Sequence, residues 1–150
     1  MRKWLIAGLV LVSLVTVPVT VMAIVGGGGS TLDLQRFKWT TTPESTTSST
    51  FVDIAGLSGV SICAQNGETV YVMLGFKSTF NGKVRVLDNG VPMPPGPVTF
   101  TGTGADARDF TFVRTIKAGT HKFRVQWAST GGSDDLTKGS FAVQYQRGTC

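Results

Sequence analysis

Residues 69–76 read TVYVMLGF, and they decide the fold. Val70, Val72, Leu74 and Phe76 alternate with their neighbours, so in an extended chain all four lie on one face. Period 2 is the pattern of a β-strand with one buried face, whereas an amphipathic helix repeats every three to four residues. The stretch therefore predicts a strand that packs one face against a core.

The same alternation recurs along the chain. In residues 83–87, Val84 and Val86 point inward, whereas Lys83, Arg85 and Leu87 point outward. The pattern predicts roughly eight strands, at residues 36–42, 51–54, 59–64, 68–77, 83–93, 109–117, 120–128 and 140–147. Strands with one apolar face pack as two antiparallel sheets. The predicted fold class is all-β, a jelly-roll-like antiparallel β-sandwich preceded by an N-terminal hydrophobic helix.

Turn residues separate these strands. Three Asn-Gly pairs, beginning at Asn66, Asn81 and Asn89, are typical of type I′ turns in β-hairpins. Residues 91–109 contain four prolines and cannot form a central strand, because proline lacks the N–H that a β-ladder needs. We expect a long connection there.

The first residues form an export segment. Arg2 and Lys3 precede an apolar stretch at residues 4–17, Pro18 follows, and small residues end at Ala23. This pattern predicts a signal peptide cleaved after Ala23. The apolar run also extends through residues 4–25, which is long enough for an uncleaved transmembrane helix.

Both alternatives stay open, and both predict a secreted or extracytoplasmic domain, anchored in the membrane if the segment is retained. The predicted organisation is a signal peptide or anchor at residues 1–23, a flexible Gly-rich linker at 24–35 and the β-sandwich at 36–150.

The charge distribution limits the classes of partner that the domain can bind. The net charge is +5, and the basic residues are scattered without a run, which argues against nucleic acid. The remaining partners are the membrane through an uncleaved segment, a glycan or protein surface, and a second copy of the chain. We expect no cofactor. Cys63 and Cys150 are a candidate disulfide outside the cytoplasm.

Four segments in order resemble a known architecture: TFVDIAGLSGVS, NGETVYVMLGF, VRVLDNGVPM and IKAGTHKFRVQWAS. They resemble small jelly-roll domains of secreted bacterial and phage structural proteins, distantly similar to the tumour-necrosis-factor and complement-C1q sandwiches. The resemblance covers about residues 36–147 and implies a structural, adhesive or oligomeric module. It transfers no functional residue.

Residues for catalysis are few. His121 is the single histidine, and it shares a face with Trp127, so we interpret both as structural. The adjacent Asp134 and Asp135 could help to bind calcium, although we expect a solvated loop. We therefore predict no catalytic, cofactor-binding or metal-binding residue and no enzyme activity.

The predicted function is a non-catalytic exported or cell-surface module with a structural, adhesive or assembly role. A carbohydrate-binding module is the alternative, and a secreted hydrolase is the least favoured. Trp39 is the candidate ligand contact, because it stands beside a polar segment and its exposure is left open by the pattern. Residues 40–50, 91–109 and 129–139 are candidate binding loops.

Overall fold

Eleven β-strands form within residues 33–79, 81–101 and 106–146, which are the residues that the computed structural model describes. The strands are β1 (Asp33–Thr40), β2 (Glu44–Thr46), β3 (Val52–Asp53), β4 (Val60–Ala64), β5 (Glu68–Ser78), β6 (Gly82–Asp88), β7 (Val91–Pro92), β8 (Val98–Phe100), β9 (Asp106–Ile116), β10 (Gly119–Ser129) and β11 (Asp134–Gln146). In this part of the chain no helix is long and apolar enough to cross a bilayer. The predicted export segment and its cleavage site at Ala23 lie outside the described residues.

Two antiparallel sheets make up the fold. Sheet A has the order β1-β11-β5-β9, and β2 pairs with the start of β11. Sheet B has the order β3-β10-β6-β7, with β4 also on β10 and β8 also on β6. The two-sheet antiparallel β-sandwich predicted from the alternating pattern is confirmed.

Consecutive long strands alternate between the sheets. Strands β5, β9 and β11 belong to sheet A, while β4, β6 and β10 belong to sheet B. Most turns therefore cross from one sheet to the other. Only the Asn89-Gly90 turn joins two paired strands among the three Asn-Gly pairs, and both of its residues have positive φ, at 47° and 86°. The other two Asn-Gly pairs lie where the chain changes sheet, so they do not form hairpins.

The core lies between the inner faces of the sheets. Strand β5 contributes Val70, Val72, Leu74 and Phe76, and all four are at most 5% exposed. Strand β10 opposes them with the buried side chains of Phe123, Val125 and Trp127. Burying each such side chain stabilises the fold by about 1.5–3 kcal/mol, so these two strands hold the sheets together.

The structure corrects several details. There are eleven described strands instead of roughly eight, because the polar or Pro-rich segments contain the short strands β2, β7 and β8. Leu87 is 3% exposed, not outward into solvent, and lies on a covered part of sheet B. The predicted strand 83–93 is two strands separated by a turn, and the predicted loop 129–139 shrinks to residues 130–133 because β10 ends at Ser129 and β11 begins at Asp134.

Candidate functional site

The outer face of sheet A carries an ordered array of side chains. Residues that stand opposite each other in antiparallel strands point to the same side of the sheet, so outward side chains form rows across it. One row consists of Trp39, Ser140, Gly75 and Asp109. The next consists of Phe37, Ala142, Met73 and Thr111, and a third of Gln35, Gln144, Tyr71 and Val113.

Exposed apolar side chains are concentrated on this face. Seven large hydrophobic side chains are exposed in the described residues, and five of them lie in these three rows: Phe37, Trp39, Tyr71, Met73 and Val113. Trp39 is 76% exposed and Phe37 is 69% exposed. A contiguous exposed apolar surface usually marks an interaction site. The outer face of sheet A is therefore the candidate binding face.

The outer face of sheet B is covered by its own polar side chains. Arg85 donates from Nε and Nη2 to Gln126 Oε1 at 2.9 and 2.7 Å, and its guanidinium lies 4.0 Å from the centre of the Phe51 ring. Gln126 in turn donates from Nε2 to Asp53 Oδ1 at 2.8 Å. These contacts cover part of sheet B, and its strands carry two exposed large hydrophobic side chains, Val52 and Val91, against five on sheet A.

The two most exposed aromatic rings stand beside each other on β1. The ring centres of Phe37 and Trp39 are 6.5 Å apart, and the ring planes meet at 64°. Such an edge-on pair does not form one flat platform. A planar ligand can stack on one of the rings while the other ring borders it.

Gly75 forms a notch in the central strand β5. A Cβ atom on Gly75 would lie 2.6 Å from Asp109 Oδ1 and 3.0 Å from Ser140 Oγ. The φ of Gly75 is not in the left-handed region, so the backbone conformation does not require glycine. Glycine inside a strand often marks a close approach of other groups. Here the carboxylate and the hydroxyl converge over it from the two flanking strands.

A shallow groove of about 370 Å³ crosses this end of the candidate binding face. Its lining includes Trp39, Gly75, Lys77, Asp109 and Lys138. The volume is at the lower end of the ~300–1,000 Å³ that small-molecule sites occupy. The groove combines one aromatic wall with charged groups of both signs, and this combination suits a ligand with apolar and polar surfaces.

The residues predicted as site residues lie in different parts of the chain. Trp39 lies on the candidate binding face, although its role as a ligand contact stays a prediction. Cys63 is half-buried on β4, opposite Thr120, while Cys150 lies outside the described residues. The disulfide therefore stays a prediction.

His121 is held at both ring nitrogens. Nδ1 lies 2.7 Å from Asp88 Oδ1, and Nε2 lies 3.0 Å from the Lys117 carbonyl oxygen. The ring also stacks against Phe123, with centres 6.5 Å apart. Asp88 is 4% exposed and faces Arg114 Nη1 at 3.8 Å. These contacts support the interpretation that His121 is structural, because both nitrogens already face oxygen atoms of the protein.

The glutamates outside the export segment bind backbone groups. The backbone N–H groups of Ala55 and Gly56 donate to Glu44 at 2.9 and 2.8 Å. Two further backbone N–H groups donate to Glu68, each at 2.9 Å. The two carboxylates thus hold two loops and the end of β11 against the sandwich.

Asp134 is buried, contrary to the expectation of a solvated pair. It is 1% exposed because the first residue of β11 points inward, whereas Asp135 points outward and is exposed. Burial raises the pKa of the Asp134 carboxyl, against the lowering effect of hydrogen bonds from Ser129 and from the backbone of Asn81. Within the described ranges, no group of three or more His, Cys, Asp or Glu is placed to hold a metal ion.

Sequence reasoning missed most of the candidate binding face. The available signal was the apolar character of Tyr71 and Met73, which occupy outward positions of a strand whose inward positions are also apolar. Gly75 in the middle of the same strand was a second signal. Asp109 and Ser140 gave none, because only the pairing of β9 and β11 with β5 brings them together.

Comparison with known proteins gives the fold. No protein-family model and no curated protein sequence matches the chain. The crystal structure of dimeric latent PorU from Porphyromonas gingivalis matches 76% of this chain with a TM-score of 0.52 and 10% identity, and the match spans 13% of the PorU chain. A family 35 carbohydrate-binding module from Clostridium thermocellum is a looser match, with a TM-score of 0.37 and 16% identity over 73% of this chain and 90% of the module. The PorU likeness agrees with the β-sandwich fold.

Proposed function

We propose that this chain is a non-catalytic exported module with an adhesive or assembly role, and that it binds its partner through the outer face of sheet A. The observation that carries the proposal is that five of the seven large hydrophobic side chains exposed in the described part of the chain lie on that one face. A face of this kind loses water-exposed apolar area when a partner covers it, and this loss favours association.

A non-catalytic role is supported by how the polar residues are used. Catalysis needs polar groups that converge on a concave site and are free to exchange protons. His121 and the two glutamates Glu44 and Glu68 instead hold the fold through hydrogen bonds at 2.7–3.0 Å. Export is supported by the apolar leader of the sequence, and the jelly-roll resemblance agrees with a surface role.

Carbohydrate binding is the second candidate function. It is favoured by the polar groups placed among the aromatic rings, since Asp109 and Ser140 stand in the same row as Trp39. Sugars present apolar C–H faces and hydroxyl edges, so a glycan needs both kinds of group from the protein. Carbohydrate binding would use the same outer face of sheet A, with a glycan as the partner, and needs no second site.

The test compares variants of the purified exported protein for retention of envelope material from the cells that produce it. Trp39→Ala and Tyr71→Ala should each lower retention, because they remove exposed rings from the candidate binding face. Val91→Ala is the matched control, since Val91 is 49% exposed but belongs to sheet B. Undiminished retention by both face variants would contradict the proposal, as would turnover of a substrate that one point mutation abolishes.

A further inference from the structure

Two lysines form a like-charged pair beside the groove. Lys77 on β5 stands directly opposite Lys138 on β11, and both side chains are exposed on the outer face of sheet A. Neither forms a salt bridge to another residue in the described ranges. Like charges directly opposite each other destabilise a sheet. An anion placed between the two ammonium groups would remove that repulsion.

The lysine pair adjoins the row that begins with Trp39. Lys77 is two residues from Gly75 on β5, and Lys138 is two residues from Ser140 on β11, so the pair forms the neighbouring row of the face. Trp39, Gly75, Lys77, Asp109 and Lys138 all line the 370 Å³ groove. An aromatic surface, a carboxylate and two unpaired cations are therefore available to one ligand.

Resting on the proposed function, we infer that the partner of this face is an acidic glycan, a polysaccharide that carries carboxylate or sulfate groups. One sugar ring stacks by its C–H face on Trp39. Sugar hydroxyls bond to Asp109 and Ser140 over the Gly75 notch. The acidic group lies between Lys77 and Lys138, where it forms charge-assisted hydrogen bonds.

The ring geometry and the charges of the groove restrict which glycans can bind there and in which direction. The 64° angle between Phe37 and Trp39 excludes stacking on a flat aromatic strip, so the face does not suit a planar crystalline polysaccharide. Asp109 repels an anion directly above it and accepts hydroxyl hydrogens. The acidic group must therefore lie toward the lysine row, and this fixes the direction of the sugar in the groove.

Charge complementarity favours this partner over a second copy of the chain. Every one of the three apolar rows also contains a polar side chain, namely Ser140 and Asp109, Thr111, or Gln35 and Gln144. Obligate dimer interfaces are more apolar and are depleted of charge at their centre. A hydrated acidic polymer matches both the polar groups and the cations.

The test uses probes matched in everything except charge. Hexagalacturonate and its methyl ester form one pair, and dextran sulfate and dextran form the other. The intact exported protein should bind the acidic member of at least one pair and not its neutral partner, and added salt should weaken this binding. Lys77→Gln and Lys138→Gln should each weaken it about tenfold, the loss of one hydrogen bond to a charged group. Lys83→Gln on sheet B removes the same charge elsewhere and should have no effect.

Three results would overturn the inference. Equal binding of acidic and neutral probes would remove the role of the lysine pair. Self-association that depends on Trp39, without binding of either acidic probe, would make a second copy the partner; the inference would then fail while the proposed function stands. Binding of the acidic probe by Trp39→Ala at wild-type strength would contradict both.

Discussion

Replacing Gly75 by alanine separates stability from binding. In a strand interior, alanine is more stable than glycine by about 0.5–1 kcal/mol, because glycine loses more conformational freedom on folding. The new Cβ would meet Asp109 Oδ1 at 2.6 Å and Ser140 Oγ at 3.0 Å. Both atoms end rotatable side chains on an open surface, so they can turn away at small cost. We expect the free energy of unfolding of Gly75→Ala to be unchanged or up to about 1 kcal/mol higher.

Binding should respond in the opposite direction. The methyl group fills the notch and displaces the carboxylate and hydroxyl that converge over it, so retention of envelope material should fall. Urea unfolding followed by tryptophan fluorescence measures the stability, and the retention assay measures the binding on the same samples.

The matched control is Gly139→Ala, on the neighbouring strand but on the inner face. A Cβ on Gly139 would lie 2.7 Å from Leu57 Cδ1, and Leu57 is fully buried at 0% exposure. Overpacking a core costs about 1–3 kcal/mol, and although the Gly139 backbone borders the groove, the new methyl group points inward toward Leu57, away from the outer face. We therefore expect Gly139→Ala to be destabilised and to bind normally. A loss of more than about 1 kcal/mol in Gly75→Ala, or wild-type retention by it, would refute the account of the notch.

Further predictions concern groups away from the face. Burial raises the pKa of Asp134 above its ordinary 3.8, so the free energy of unfolding falls as the pH rises from 3.8 through the raised pKa of the folded state. In calorimetry, Asp134→Asn should therefore have a higher melting temperature than the wild type at pH 7, a similar one at acidic pH, and a flatter dependence on pH. A pH profile identical to that of the wild type would contradict this. His121→Ala should lose about 1–3 kcal/mol by removing the hydrogen bond to the buried Asp88 carboxylate, which then keeps only Arg114 at 3.8 Å, and His121→Gln should lose less. Stoichiometric metal that copurifies and disappears in both variants would argue against a structural role. Reduction of a Cys63–Cys150 disulfide should cost about 4–5 kcal/mol in the chain-entropy model, whereas two titratable thiols in the unreduced, denatured protein would exclude the bridge.

The sandwich could be predicted because its longest strands are locally encoded. Residues 69–76 and 121–127 each place apolar side chains on alternate positions, and β5 and β10, in opposite sheets, bury these side chains in one core. Strands β7 and β8 could not be predicted, since two or three residues are too few to show a period. They exist because β6 offers its open edge to them.

The candidate binding face could be predicted only in part. Trp39 was suspected from its position, but its row is completed by Gly75, Asp109 and Ser140, which are far apart in sequence. Their meeting depends on the register of four strands, and register is a property of the whole sheet. The burial of Leu87 could not be predicted either, because alternation along one strand shows which side a residue points to and not what covers the sheet on that side.

The most direct test of the central claim is to map the bound partner on the protein by NMR chemical-shift perturbation. With envelope material or an acidic oligosaccharide added, the account predicts shifts at the Trp39 indole, at Tyr71 and Met73, and at the backbone around Gly75. The amides of the inter-strand loop at residues 130–133 should stay unchanged. Shifts confined to that loop, with an unperturbed Trp39, would contradict the claim that the outer face of sheet A is the binding surface.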